Sequence, residues 1–419
     1  MSGLSLQGGA GIATHHAAPH RWLSIVGIGE DGLDGVSAVG RRLIADAELV
    51  IGGKRQLAMA GGDLIKTAMV WPSPLLNAVP HILAQRGRAV CILATGDPFS
   101  YGIGATLSAH IAADEIICLP APSAFSLAAA RLAWPLQTTT CLSVHGRPLE
   151  LLIPHLQPGA RLLALSWDAR TPADVAALLN ARGMGASQIT VLERMGGPHE
   201  RIRTSDAASA SFADVDALNT LAIDVSVKPG ARIVPLSQGL ADDLFEHNGQ
   251  ITKREVRAVT LSSLSPLRGE LLWDIGAGSG SIGIEWMLAH PENRAIAIEP
   301  RADRIALCTR NAAALGVPDL RIVAGRAPEA LADLPQPNAI FIGGGGDDTV
   351  LDAAIAALPS NGRLVANAVT LETEALLVAQ QMSRGGSLSR IEISRAEAVG
   401  GFTGWRAALP VTQWVWVKP

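Results

Sequence analysis

Aromatic side chains are scarce in this 419-residue chain, 4% in all with a single tyrosine. That scarcity argues against a reader of single-stranded RNA, which stacks bases on exposed rings. An excess of one charge is missing too: 34 Lys+Arg stand against 38 Asp+Glu, a net of −4. A nucleic-acid binder relying on a global basic field is thereby excluded, although a local basic patch is not. Cysteine is limited to Cys91, Cys118, Cys141 and Cys308, far apart and without a CxxC pair. Three of them sit in apolar runs, where a free thiol behaves as a small hydrophobe. Neither a disulfide framework nor a bound metal is expected, and a reducing compartment fits. No stretch approaches roughly 18 uninterrupted apolar residues, so no membrane span is expected. Residues 1–20, rich in Gly, Ala and His, lack the basic start and apolar centre of a signal peptide and read as a flexible extension, its His15-His16 pair idle. The expectation is a soluble, cytoplasmic protein.

What is present is apolar material: 48% of residues, with only 17% charged, so the chain as a whole is not disordered. At about 150 residues per domain the length suggests two or three domains. From Trp22 onward, short apolar runs alternate with helix-like stretches: WLSIVG (22–27), AELVIGG (47–53), AVCILATG (89–96), EIICLP (115–120) and RLLALSW (161–167). Strands alternating with helices mean βαβ units and mostly parallel sheets, an α/β fold. One helix start is legible, with Thr171 as N-cap, Pro172 at the first helical position and Asp174 at the third. The pattern loosens over 226–250, then resumes with ELLWDIG (270–276), RAIAIE (294–299), LRIVAG (320–325), AIFIGG (339–344) and RLVANAV (363–369). Residues 301–315 read as a helix ended by Gly316 and stopped by Pro318, and 411–418 as a closing strand. Two α/β domains joined near residue 238 is the simplest division, with no internal repeat.

The strongest local signal is DIGAGSGSIG (274–283), a strand end, three glycines at alternate positions and a helix starting near Ser281. Glycines suit a tight turn where a ligand approaches the backbone. Gly278, Gly280 and Gly283 also satisfy the dinucleotide pattern GxGxxG, a weak signal alone. The flanking acids discriminate. Asp274 would face like charge beside a pyrophosphate, whereas beside the ammonium of S-adenosylmethionine (SAM) it makes a charge-assisted hydrogen bond. Glu299, at the end of the next strand, is placed to accept bonds from both ribose hydroxyls. Acid, GxGxG and second strand-end acid resemble the class I SAM-dependent methyltransferases. That resemblance places Gly325 near the adenine. Many relatives carry an Asn-Pro-Pro-Tyr-like motif after the fourth strand to hold an exocyclic nitrogen; here the place reads IFIGGGG (340–346), which offers room for a bulky substrate methylated at carbon.

A second glycine loop, VGIGEDG (26–32), follows a strand but makes a poor dinucleotide site, because Glu30 and Asp31 are anionic. LATGDPFSYGIG (93–104) and PAPSAFSLAAARL (120–132), with Ser123 as N-cap, add two more loops at strand ends. Three such loops on one sheet edge mark a ligand site in an α/β protein.

VGIGEDG, IGGKRQL (51–57), ATGDPFSYGIG and PAPSAFSLAAARL are similar to the tetrapyrrole methylase family, in particular its cobalamin-pathway members that methylate C5. ITVLERMGGPHERI (189–202) resembles that family's later strand and loop. GQITKREVRA (249–258), DIGAGSGSIGIEW and IFIGGG resemble the partner enzymes that methylate C15 and remove a carboxyl group. The likeness spans residues 21–419. It implies a tetrapyrrole-methylase-like domain over 21–238 and a Rossmann-like class I SAM methyltransferase domain over 239–419. The implied activity is conversion of precorrin-6Y to precorrin-8X, by methylation at C5 and C15 with decarboxylation of the C12 acetate. It implies a first SAM site at Gly29, Gly96, Asp97, Ser100, Ser123 and Ala124, with Glu30 standing where the family's first loop usually carries proline. The implied second site comprises Thr252, Asp274, Gly276, Ala277, Gly278, Ser279, Gly280, Glu299 and Gly325.

Methyl transfer from a sulfonium to an enamine-type ring carbon requires orientation more than a strong base, in keeping with the absence of a convincing His/Cys/Asp constellation. A polycarboxylate substrate calls for cationic clamps. Lys253, Arg254 and Arg257 form a basic cluster on one helical face, either a carboxylate-binding group or a solvated surface. His199, Arg201 and Arg203 are similar candidates for the first site. The expected partner is a small-molecule tetrapyrrole, with no nucleic acid, membrane or metal, in a homo-oligomer. Three other readings stay open: only one half is catalytically active, the chain is a SAM- and tetrapyrrole-binding scaffold, or, more remotely, it is a nicotinamide-dependent dehydrogenase.

Overall fold

In the computed structural model, residues 21–72, 74–344 and 346–419 are described; the extension at 1–20, with His15-His16, lies outside them. The chain forms two compact units. Unit 1 holds residues up to His145 with Arg161–Ala177 and Ser187–Asp224, and unit 2 holds Gly146–Ala160, Leu178–Ala186 and Val225–Pro419.

Unit 1 contains two five-stranded sheets. The first is all parallel, in the spatial order Ala68–Val70, Leu49–Gly52, Val90–Thr95, Leu23–Ile28, Ile116–Leu119. Its apolar residues alternate between faces, as the period of two in a strand requires. Leu23, Ile25 and Ile92 pack toward the helices Ala78–Leu83 and Ile103–Leu107, while Val26, Ile28, Cys91 and Leu93 pack toward Ala38–Asp46 and Lys54–Met59. Leu23–Ile28 and Val90–Thr95 are adjacent, and the chain leaves them toward opposite sides of the sheet. A switch of that kind opens a crevice at the carboxyl ends of the two strands.

The second sheet runs Thr139–Ser143, Arg161–Leu165, Asn219–Asp224, Gln188–Glu193, Arg201–Asp206, with one parallel pair and three antiparallel ones. Helix Ala124–Leu132 lays Phe125, Ala128 and Ala129 on it, against Leu163, Leu192 and Ala222. The helix Thr171–Ala181 begins one residue earlier than its sequence suggests. The Thr171 hydroxyl turns back to accept from the amides of Trp167 and Asp168 instead of capping forward, because Asp168 Oδ1 already takes the Thr171 amide.

Unit 2 is built on a seven-stranded sheet in the order Arg321–Ala324, Arg294–Glu299, Leu271–Ile275, Ala339–Ile342, Arg363–Ala368, Val411–Val417, Ser387–Ile391. The first five strands are parallel; the last two are antiparallel to their neighbours, Val411–Val417 closing against Arg363–Ala368. Alternation again serves both faces. Trp273, Ile275, Ile340 and Leu364 pack with the helices Asp348–Ala357 and Leu371–Arg384, while Leu272, Phe341 and Val365 meet Arg254–Leu264, Ser281–Ala289 and Ala302–Leu315. Gly316 ends the last of these in a left-handed cap. The hairpin of Ser394–Val399 and Phe402–Ala407 carries no sequence signal that sets it apart from a loop. Strand order reverses between Leu271–Ile275 and Ala339–Ile342, which sets a second crevice there.

Candidate functional site

The unit 1 crevice is built from three loops knitted by backbone hydrogen bonds. The Gly96 amide donates to Ile28 O, and the Ala121 amide to Gly96 O. Gly96 takes φ +58°, and a β-carbon there would sit 2.9 Å from Pro122 O, so close approach and left-handed backbone both call for glycine. Asp97 folds its carboxylate onto the Phe99 amide (2.8 Å) and the Ser100 amide closes on Asp97 O (3.2 Å), a compact turn. Ser123 caps the helix at the Ser126 amide, with Ala124 the first helical residue, so the amino end of Ala124–Leu132 faces the crevice region. Gly29, Gly96, Asp97, Ser100, Ser123 and Ala124 thus all belong to these three loops or to the helix they open.

Glu30 does not point an unpaired charge into this crevice. Its carboxylate is shared between Arg55 and Arg194 and is nearly buried. Arg201 and Arg203 both grip Glu193, a 1% exposed carboxylate held below its ordinary pKa by those hydrogen bonds despite burial. They brace the strand pair and are not free clamps.

The unit 2 crevice centres on the 276–280 loop. Gly276, Gly278 and Gly280 all have positive φ, and the Gly276 and Ala277 amides donate to Ile298 O, pinning the loop to the neighbouring strand. A β-carbon on Gly276 would lie 2.6 Å from Gly344 O, so this loop and the 343–346 glycine run touch. At Gly280 a β-carbon would overlap the Cys308 sulfur. Thr252 lies two residues after Gln250, whose carbonyl is 4.0 Å from a β-carbon placed on Gly278. Gly325 donates its amide to Glu299 O, next to Glu299 at the adjacent strand end.

Asp274 is 1% exposed; one carboxylate oxygen accepts from the Gly283 amide (3.0 Å) and the other has no partner among the described residues. Burial, with the Glu299 charge nearby and only the Gly283 bond opposing, pushes its pKa up to about 7. An orphaned buried acceptor with a reluctant charge fits a cationic donor group. Glu299 is equally buried and accepts from the Gly278 and Arg301 amides (both 3.0 Å), with Arg304 3.9 Å away. Ser279 Oγ and Arg304 Nε are further buried polar atoms without partners here. Cys308 beneath the loop is buried, its thiol pushed up to about 12 by desolvation, so it is inert filling. All four cysteines are free, and no cluster of three metal-ligating side chains occurs among the described residues.

Beside this loop lies a cavity of about 130 Å³ at the ends of Ala339–Ile342 and Arg363–Ala368, lined by Gly343, Gly344, Gly346, Leu351, Leu376 and Thr373 among others. None of its lining residues is ionisable.

The basic cluster is divided by the structure. Lys253 is exposed, 3.7 Å from Asp242, and Arg254 bonds Gly239 O. Arg257 fails as a substrate clamp, because its guanidinium is fully buried and already committed. It pairs with Glu285 (2.5 Å) and Asp242 (3.2 Å) and donates to the carbonyls of Thr252 and Leu240. Glu285 in turn accepts the Gly239 and Leu240 amides. This ion network anchors the segment carrying Thr252. Helical spacing put the three cations on one face; which of them has a buried acid opposite depends on Glu285, 28 residues away, which local pattern does not reveal.

A parallel sheet with the order reversal described, an acid before the glycine turn and another at the next strand end define a class I methyltransferase half, joined to a second α/β unit with its own loop cradle. Family models match both parts: Tetrapyrrole (Corrin/Porphyrin) Methylases over residues 23–211 and the Precorrin methyltransferase domain over residues 243–418. A Sinorhizobium precorrin-6Y C(5,15)-methyltransferase [decarboxylating] is 56% identical over 95% of this chain and 96% of its own. One from Mycobacterium tuberculosis is 40% identical over 93% and 98%. A shorter relative from Pyrobaculum calidifontis, a probable cobalt-precorrin-6B C(15)-methyltransferase (decarboxylating), is 36% identical over 41% of this chain and 92% of its own. The chain belongs to the precorrin-6Y C5,15-methyltransferase (decarboxylating) family and is a methyltransferase. No described helix is long and apolar enough to cross a membrane.

Proposed function

We propose that this enzyme methylates precorrin-6Y at C5 in unit 1 and at C15 in unit 2, with decarboxylation accompanying the second step, using SAM at both. The observation that carries the reading is the presence of two separate strand-end cradles, one per unit, in a chain 95% of which aligns with a relative named as a C(5,15)-methyltransferase. SAM supplies a methyl group already activated on a sulfonium, so the protein's task is to hold donor and ring carbon in line. Orientation of that kind is worth about 7–11 kcal/mol. In unit 2 the unpaired Asp274 oxygen accepts from the donor's ammonium, Glu299 from its ribose, and Gly276, Ala277, Gly278, Ser279 and Gly280 present backbone to it. Thr252 and Gly325 flank that donor. In unit 1 the same service falls to Gly29, Gly96, Asp97, Ser100, Ser123 and Ala124. Lys253 and Arg254, unlike Arg257, remain available to substrate carboxylates.

Loss of carbon dioxide needs an electron sink, which a protonated ring imine provides. The cavity beside the glycine run, lined by aliphatic residues and glycines with the neutral Asn367, Thr370 and Thr373, offers a carboxylate placed there no counter-charge and so favours its departure. The direct test incubates the enzyme with precorrin-6Y and labelled SAM and weighs the product. Two added methyl groups and one lost carboxyl are expected; a single methyl, or retention of every carboxyl, overturns the full assignment.

A further inference from the structure

The loop cradle of unit 1 has a cationic rim formed by Arg55 and Arg194, which lie within the family-like stretches IGGKRQL and ITVLERMGGPHERI but to which the sequence reading gave no role. Arg55 opens the helix Lys54–Met59 and Arg194 follows the strand Gln188–Glu193, so they arrive from different sheets. Both meet on Glu30: Arg55 Nη1 at one carboxylate oxygen, Arg194 Nη1 at the other (3.2 Å). Arg55 Nη2 also reaches Thr95 Oγ1 (3.4 Å), the exposed last residue of the strand that leads into Gly96 and Asp97. Arg194 uses Nε on Asp216 (2.6 Å).

Three features distinguish this from a sealed structural ion pair. The arginine side chains are 32% and 34% exposed while Glu30 is 12% exposed, so the carboxylate is covered and guanidinium surface faces outward. Arg55 Nε and Arg194 Nη2 have no hydrogen-bond partner among the described residues. Arg194 also holds φ +45°, a conformation uncommon outside glycine that marks a residue kept in place by its surroundings. Two planar forks share Glu30, and Arg194 is also held by Asp216 through Nε, yet both keep outward donors, Arg55 Nε and Arg194 Nη2, that can meet a further carboxylate.

We propose that Arg55 and Arg194 bind a carboxylate of the tetrapyrrole in unit 1, with Glu30 as the resident anion that holds the pair together and competes with the substrate for it. This rests on the reading of unit 1 as the C5 methyltransferase. Glu30 thereby sets how strongly acidic side arms are gripped.

The full chain is assayed with precorrin-6Y and labelled SAM, reading label at C5 and varying each substrate in turn. Arg55→Gln and Arg194→Gln each raise the KM for precorrin-6Y about tenfold and leave the KM for SAM unchanged. Glu30→Gln lowers the precorrin-6Y KM severalfold, because the competitor is gone. The proposal is overturned if Glu30→Gln raises that KM, which is the signature of a loop strut. It is overturned equally if the arginine variants move the SAM value, which would mean they hold the donor's own carboxylate, or if they move neither. Absence of C5 label with the unaltered enzyme sinks the C5 assignment instead, so the two failures are told apart.

Discussion

Asp274 has one satisfied and one orphaned oxygen in a site that resists its charge. Its folded pKa, about 7, lies above the ordinary 3.8, so folding favours the protonated form. In the ligand-free protein, stability of this unit therefore declines as pH rises from about 4 toward 7 and levels off above. A cationic ligand tail reverses the preference, since it pairs with the ionised carboxylate. Binding of S-adenosylhomocysteine at this site is expected to weaken as pH falls from 8 to 6, and Asp274→Asn is expected to abolish that dependence in calorimetric titrations. Arg257 makes a contrasting case. Removing it leaves Glu285 buried without its counter-charge, and Arg257→Ala is expected to destabilise unit 2 by about 3–5 kcal/mol in denaturant unfolding.

Among the elements, the glycine loops divide into those that the backbone requires and those that the substrate requires. Gly280 has φ +78° and no room beside Cys308, so Gly280→Ala combines backbone strain with overpacking and costs about 2–4 kcal/mol. Gly344 has open space around a β-carbon. Gly344→Ala is expected to melt within a degree or two of the parent, yet to slow methylation at C15 by shrinking the cavity; unchanged C15 turnover would refute the role given to the run. Central strands such as Leu271–Ile275 and Arg294–Glu299 were legible within a residue because burial on both faces gives them short, nearly continuous apolar runs. So was the turn at Asp274, where acid, glycines and helix start are contiguous. The edge hairpin Ser394–Val399 and Phe402–Ala407 was not, since its residues are mostly exposed and carry no period. Glu30 and Arg257 misled for one reason: the partners that neutralise them are distant in sequence, 25 and 164 residues away for Glu30 and 15 and 28 for Arg257.

On the scale of the whole molecule, each unit has its own parallel strands, switch point and cradle, and the proposed function assigns one donor to each cradle. Asp274 belongs to one of these cradles only, which makes the donor count separable by a single substitution. Titration of the full-length chain with S-adenosylhomocysteine in a calorimeter addresses this most directly. Two copies bound per chain are expected, falling to one in Asp274→Ala; one copy in the unaltered chain, or no loss in the variant, would contradict the account.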